Sequence, residues 1–85
     1  MKELNLNTGN RKSMTELGKY LSKKSASKAG ISKKTGISKS RISELTLNPS
    51  TQLRAWELYL IALALDVPPG EMFEELFKDL KLEGD

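Results

Sequence analysis

Residues 28–47 read KAGISKKTGISKSRISELTL. By composition this region is a poor candidate for folded structure, because Ser22 to Ser43 holds seven serines and six lysines among 22 residues, the make-up of a solvated basic linker. The few apolar residues argue the other way. Ile31 and the half-apolar Thr35 are i, i+4 neighbours, Ile37 directly follows Gly36, and Ile42 and Leu45 stand at i, i+3. Two short helices joined by a tight turn place all of them on one inner side. The punctuation agrees: Ser27 can cap the first helix, Gly36 can take the left-handed conformation that ends it, and Ser38 can cap the second. The pattern predicts helices over about Lys28 to Thr35 and about Lys39 to Leu45 or Thr46.

Moving outward, Ser13-Met14-Thr15-Glu16 fits a capping box, and Met14, Leu17 and Leu21 then recur on one helical stripe, with Tyr20 alongside, to about Lys24. On the other side, Asn48-Pro49-Ser50 is a breaker cluster, after which Ser50 or Thr51 can cap a helix running to about Leu65. That helix is apolar on nearly every side from Leu53 onward, which predicts a central helix covered all round. Pro68-Pro69 ends it and can start a fifth helix, whose Met72, Phe73, Leu76, Phe77 and Leu80 form one continuous stripe opposite Glu71, Glu74, Glu75, Lys78 and Asp79. The expected fold class is all-α, a compact five-helix domain over residues 13–82, preceded by an N-terminal arm at 1–12 and followed by a short tail at 83–85.

At 85 residues, 38% of them hydrophobic, the chain has material for one core. It lacks cysteine and histidine, which removes disulfides, thiolate metal sites and the commonest general base. Binding is the better default than catalysis, and no cofactor or metal is implied. The longest apolar run, Leu58 to Leu65, falls far short of the roughly 20 residues a membrane-spanning helix needs. With no secretory pattern among residues 1–12, a cytoplasmic location is expected. Charge is unevenly spread. Residues 1–56 carry twelve Lys/Arg against three acids, a surplus of nine positive charges, whereas residues 57–85 carry two against eight, a deficit of six. A basic half suggests a polyanion partner such as nucleic acid, with the acidic half facing away from the phosphates.

The segment from Lys28 to Leu47 resembles the phage-repressor and Cro-like (Xre-type) helix-turn-helix family, through apolar Ile31, small Ser32, turn glycine Gly36, and apolar Ile37, Ile42 and Leu45. The five-helix order and the closing IALALDVPPGEMF extend the likeness over about Ser13 to Phe77. The resemblance implies a lambda-repressor-like domain with the motif on helices two and three, and double-stranded DNA as the partner. The third helix, about Lys39 to Leu45, would lie in the major groove, with Ser38, Lys39, Ser40 and Glu44 where base contacts are usual and Arg41 and Ser43 on or beside the same face. Lys28 would meet a phosphate at the start of helix two. Lysine or arginine can donate to guanine, and Glu44 can accept from cytosine N4. Lys33 and Lys34 read equally well as solvated charge.

Three departures from the family pattern stand out. Leu21 and Thr46 occupy the positions where the family often pairs an arginine with a glutamate, implying an apolar replacement. Thr46-Leu47-Asn48 replaces an acid-x-glycine ending, which leaves the following loop, with Asn48, Thr51 and Arg54 as candidate phosphate contacts, less defined. Asp66 stands where a glycine usually ends helix four. The leading expectation is a dimeric DNA-binding regulator, a repressor, pairing through helix five and binding an operator. The alternative is an antitoxin or other interaction module with a toxin partner and autoregulatory DNA binding, whose partner surface would be the Leu4/Leu6 arm or the helix-five stripe.

Overall fold

The computed structural model describes residues 14–84, which form five helices and, among these residues, no strand: α1 (Glu16–Lys23), α2 (Lys28–Thr35), α3 (Lys39–Leu47), α4 (Ala55–Ala64) and α5 (Pro69–Phe77). The arm at residues 1–12 and the Ser13 cap lie outside the described residues. Helix α1 is instead capped by Thr15, whose hydroxyl accepts from the Gly18 N–H at 3.0 Å. Glu16 pairs with Lys19 rather than reaching back to a cap.

The polar stretch folds as its apolar spacing requires. Ser27 Oγ accepts from the Gly30 N–H at 3.0 Å and Ser38 Oγ from the Arg41 N–H at 3.1 Å, so each motif helix has a hydroxyl cap. Gly36 sits at φ 82°, a conformation a β-carbon disfavours, and turns the chain between α2 and α3. Ser25 and Asp66 take the same left-handed cap without glycine, at φ 55° and 63°. In each case the next amide reaches back five residues, Ala26 to Leu21 O and Val67 to Ala62 O, both at 3.0 Å. Ala26 and Val67 thereby pack onto the core as the apolar partners that complete such a cap.

Every helix contributes to the core: Leu17, Tyr20 and Leu21 from α1, Ile31 from α2, Ile42 and Leu45 from α3, Leu58, Ile61 and Ala62 from α4, Met72 and Leu76 from α5, with Ile37 from the turn. The helices close a ring of contacts, α1 on α3, α3 on α2, α2 on α4, α4 on α5 and α5 back on α1. The α1–α3 joint is tight. Thr15 donates its N–H to Thr46 O at 3.0 Å and its hydroxyl to Leu45 O at 2.7 Å, so the start of α1 satisfies carbonyls at the end of α3. Gly18 permits the approach, because a β-carbon there would stand 2.4 Å from Thr46 O.

The second half departs from expectation chiefly in helix α4. Helix α4 is not covered all round: Trp56, Tyr59 and Leu63 each expose more than half of their surface. The α5 stripe keeps the expected width but only part of it is core, with Met72 and Leu76 buried and Phe73, Phe77 and Leu80 exposed. A ring of short helices leaves one side of α4 and of α5 facing outward, where apolar residues stay exposed even though Phe73 and Phe77 stand with ring centroids 5.2 Å apart. Helix α4 also starts later than the breaker suggests, at Ala55, with Glu57 rather than Ser50 or Thr51 bonded to its first turn; Glu57 Oε1 accepts from the Arg54 N–H at 2.9 Å.

Candidate nucleic-acid interface

Helix α3 divides its residues sharply. Ile42, Leu45 and Thr46 face the core, while Ser38, Lys39, Ser40 and Glu44 are exposed and Ser43 is half-buried. Residues 40, 43 and 44 share one helical side by their i, i+3, i+4 spacing. Lys28 joins them from the start of α2, its Nζ 3.4 Å from Ser43 Oγ. Lys28, Ser40, Ser43 and Glu44 are therefore brought together on one surface, while Ser38 and Lys39, two more of the seven residues singled out from the sequence, stand exposed at the start of α3.

Arg41 is the seventh, and the structure turns its guanidinium away from that surface. Its Nε donates to Glu57 Oε2 at 2.8 Å and its Nη2 to Glu57 Oε1 at 3.0 Å, a bidentate pair, while Nη2 also donates to Gln52 O at 2.8 Å. Glu57 is 1% exposed and the Arg41 side chain 27%. No Cα atom of α3 approaches α4 within 8 Å, so this ion pair spans a wider gap between two helices that share the one core. The fork geometry suits a buried carboxylate, whose remaining acceptor capacity is met by the Arg54 amide. The hydrogen bonds from Arg41 hold the Glu57 carboxyl below its ordinary range despite burial, with the Arg54 amide adding to the effect. The arginine is correspondingly held more firmly protonated, chiefly by Glu57.

Sequence reasoning counted Glu57 among the acids of a solvated negative half and missed the pair. The signal was available: a single carboxylate inside the apolar run from Trp56 to Leu65 is where a buried charge must find a partner. The Leu21 and Thr46 positions are both buried, and Thr46 satisfies its hydroxyl on Ser43 O at 3.1 Å. Also missed was the environment of Glu44, whose Oε1 accepts from Asn48 Nδ2 at 3.3 Å and from Thr51 Oγ1 at 3.2 Å.

The helix ends carry a further electrostatic contrast. Helices α1, α4 and α5 each place an acid in the first turn, Glu16, Glu57 and Glu71, which complements the positive end of the helix dipole. Helices α2 and α3 have none there and begin instead with Lys28 and Lys39. A cation at a helix N-terminus costs stability, on the order of 0.3–1 kcal/mol at low salt, unless an anion is brought to it. The two helix starts that break the rule are the two that frame the exposed surface, an arrangement suited to phosphate and to acceptor groups on base edges. The acids Glu74 and Glu75 lie on α5, Glu75 paired with Lys78 at 3.1 Å and Lys23 at 3.7 Å. Among the described residues no helix is long and apolar enough to cross a membrane.

A family model for the Cro/C1-type helix-turn-helix DNA-binding domain matches residues 16–75, from the first residue of α1 to within two residues of the end of α5. No curated protein and no solved structure matches the chain.

Proposed function

The chain belongs to the Cro/C1-type helix-turn-helix DNA-binding family, and from that premise we propose that it is a small dimeric transcriptional regulator, a cytoplasmic repressor, that reads an operator with α3 in the major groove. Lys39, Ser40 and Glu44 meet base edges, with Ser38 and Ser43 beside them, and Lys28 holds a phosphate at the start of α2. Arg41 serves this surface indirectly by fixing α3 against α4. The observation that carries the reading is the uncompensated start of α2 and of α3, each opening on a lysine beside an otherwise exposed polar face.

Dimerisation follows from the economy of recognition, since one helix reads too few base pairs for useful discrimination. The exposed Trp56, Tyr59, Leu63, Phe73 and Phe77 supply an apolar surface for the second copy, and a toxin partner would compete for the same residues. The domain spans residues 13–82, with the arm at 1–12 and the tail at 83–85 outside it.

Selection from a random duplex library tests the reading. The expected result is a two-fold symmetric site whose half-sites lie about one helical turn, roughly 34 Å, apart. Binding should weaken steeply with salt, and Lys28→Ala should flatten that dependence while lowering affinity for all sequences alike. Selection that returns no preferred site, together with sedimentation showing a monomer, overturns it.

A further inference from the structure

The loop after α3 departs from the family's usual acid-x-glycine ending, and it folds back on the helix it follows. Asn48 keeps an extended backbone, φ −112° and ψ 105°, while its N–H still bonds to Glu44 O at 2.9 Å. Its side-chain Oδ1 accepts from the Ser50 N–H at 3.0 Å, which commits the amide oxygen and leaves Nδ2 directed at Glu44. The Thr51 N–H bonds to Asn48 O at 3.0 Å and so delivers the Thr51 hydroxyl to the same carboxylate oxygen. Beyond Thr51 the loop is tied down by Arg41 on Gln52 O at 2.8 Å and by Leu53 packed against the core.

We propose that Asn48 and Thr51 are positioning residues that set base preference by holding the Glu44 carboxylate, an inference that rests on the assignment of Glu44 to a base edge. A free glutamate must surrender rotamer freedom on meeting a base, and one held beforehand does not. With Oε1 occupied by two donors, the exposed Glu44 keeps Oε2 as the carboxylate oxygen to which no hydrogen bond is made among the described residues. It accepts one hydrogen bond from cytosine N4 and repels the acceptor edges of guanine and thymine. The two donors also offset the repulsion between the carboxylate and nearby phosphates. Asn48 and Thr51 thus act on specificity through Glu44 and leave the phosphate contacts to Lys28.

The test compares full-length variants on the duplex that wild type selects and on its single-base-pair variants. Thr51→Val and Asn48→Ala should each reduce the preference at the Glu44 base pair, by roughly three- to tenfold, the range that a net hydrogen bond corresponds to. Affinity for non-cognate duplex and the salt dependence should not change, and Thr51→Ser should restore the preference. In a Glu44→Ala background, Thr51→Val should have no further effect. Thermal unfolding of each variant separates a lost fold from a lost preference. The proposal is overturned if Glu44→Ala erases the preference while Thr51→Val and Asn48→Ala leave it intact. It is also overturned if Thr51→Val weakens all duplexes alike, which would make Thr51 a phosphate contact. If Glu44→Ala itself changes nothing, the failure lies in the base-edge assignment on which the proposal depends.

Discussion

The α2–α3 segment and the α4–α5 segment invert the usual relation between apolar content and order. Residues 28–47 have few apolar side chains, yet Ile31, Ile37, Ile42 and Leu45 are all buried, and serine hydroxyls cap both helices. Residues 55–77 are rich in apolar side chains, yet Trp56, Tyr59, Leu63, Phe73 and Phe77 stay exposed. In the first segment packing takes up all three isoleucines and Leu45, leaving Leu47 exposed at the end of α3 and most of the polar groups on the surface. In the second the apolar groups exceed what one core takes up, and the excess stays on the surface, where the proposed second copy would cover it.

The largest effect should come from the joint between the two segments. Arg41→Ala strands the Glu57 carboxylate and should give the largest loss of stability among these variants in urea unfolding at pH 7. Its pH dependence carries the diagnosis. In the wild type, Glu57 is held below its ordinary range, so its contribution is fully present above the unfolded value near pH 4.3 and is lost as pH falls through the lower folded value. In the variant the unpaired, buried carboxyl should titrate above that value, so acidification toward pH 4 should narrow the gap between the two proteins. A gap that widens on acidification would show that Glu57 is not the group responsible.

Next in size is a direct contrast of the segments. Ile42→Ala, at a fully buried position, should cost about 2–5 kcal/mol. Tyr59→Ala, at a residue more than half exposed, should change the stability of the dilute monomer by less than about 0.5 kcal/mol while weakening self-association in sedimentation. Equal losses of stability would erase the distinction drawn between them. The caps fall below the core position: Ser27→Ala and Ser38→Ala should each cost about 0.5–2 kcal/mol in thermal unfolding, and Ser27→Gly only a few tenths.

What the sequence discloses follows the same division. Local rules located α2, α3, Gly36 and both serine caps because each depends on residues within one turn of one another. The left-handed Asp66 was legible only through the resemblance, as the position where a glycine usually ends helix four. The Arg41–Glu57 pair joins residues 16 apart across two helices, and nothing local distinguishes an arginine of α3 that faces outward from one that faces the core. Gly18 was equally silent, since its reason is the carbonyl of Thr46 on another helix. The exposed side of α4 could not be read from periodicity, because a helix apolar on all sides carries no phase to say which side is covered.

The most direct test of the central claim, that the α2–α3 face meets the nucleic acid and the α4–α5 face does not, is an amide-resolved NMR titration with the selected duplex. The account predicts that the largest shifts centre on Lys28 and on Ser38 to Glu44, while amides from Glu71 to Lys78 remain in place. Shifts centred on α5, with Lys39, Ser40 and Glu44 unmoved, would contradict it.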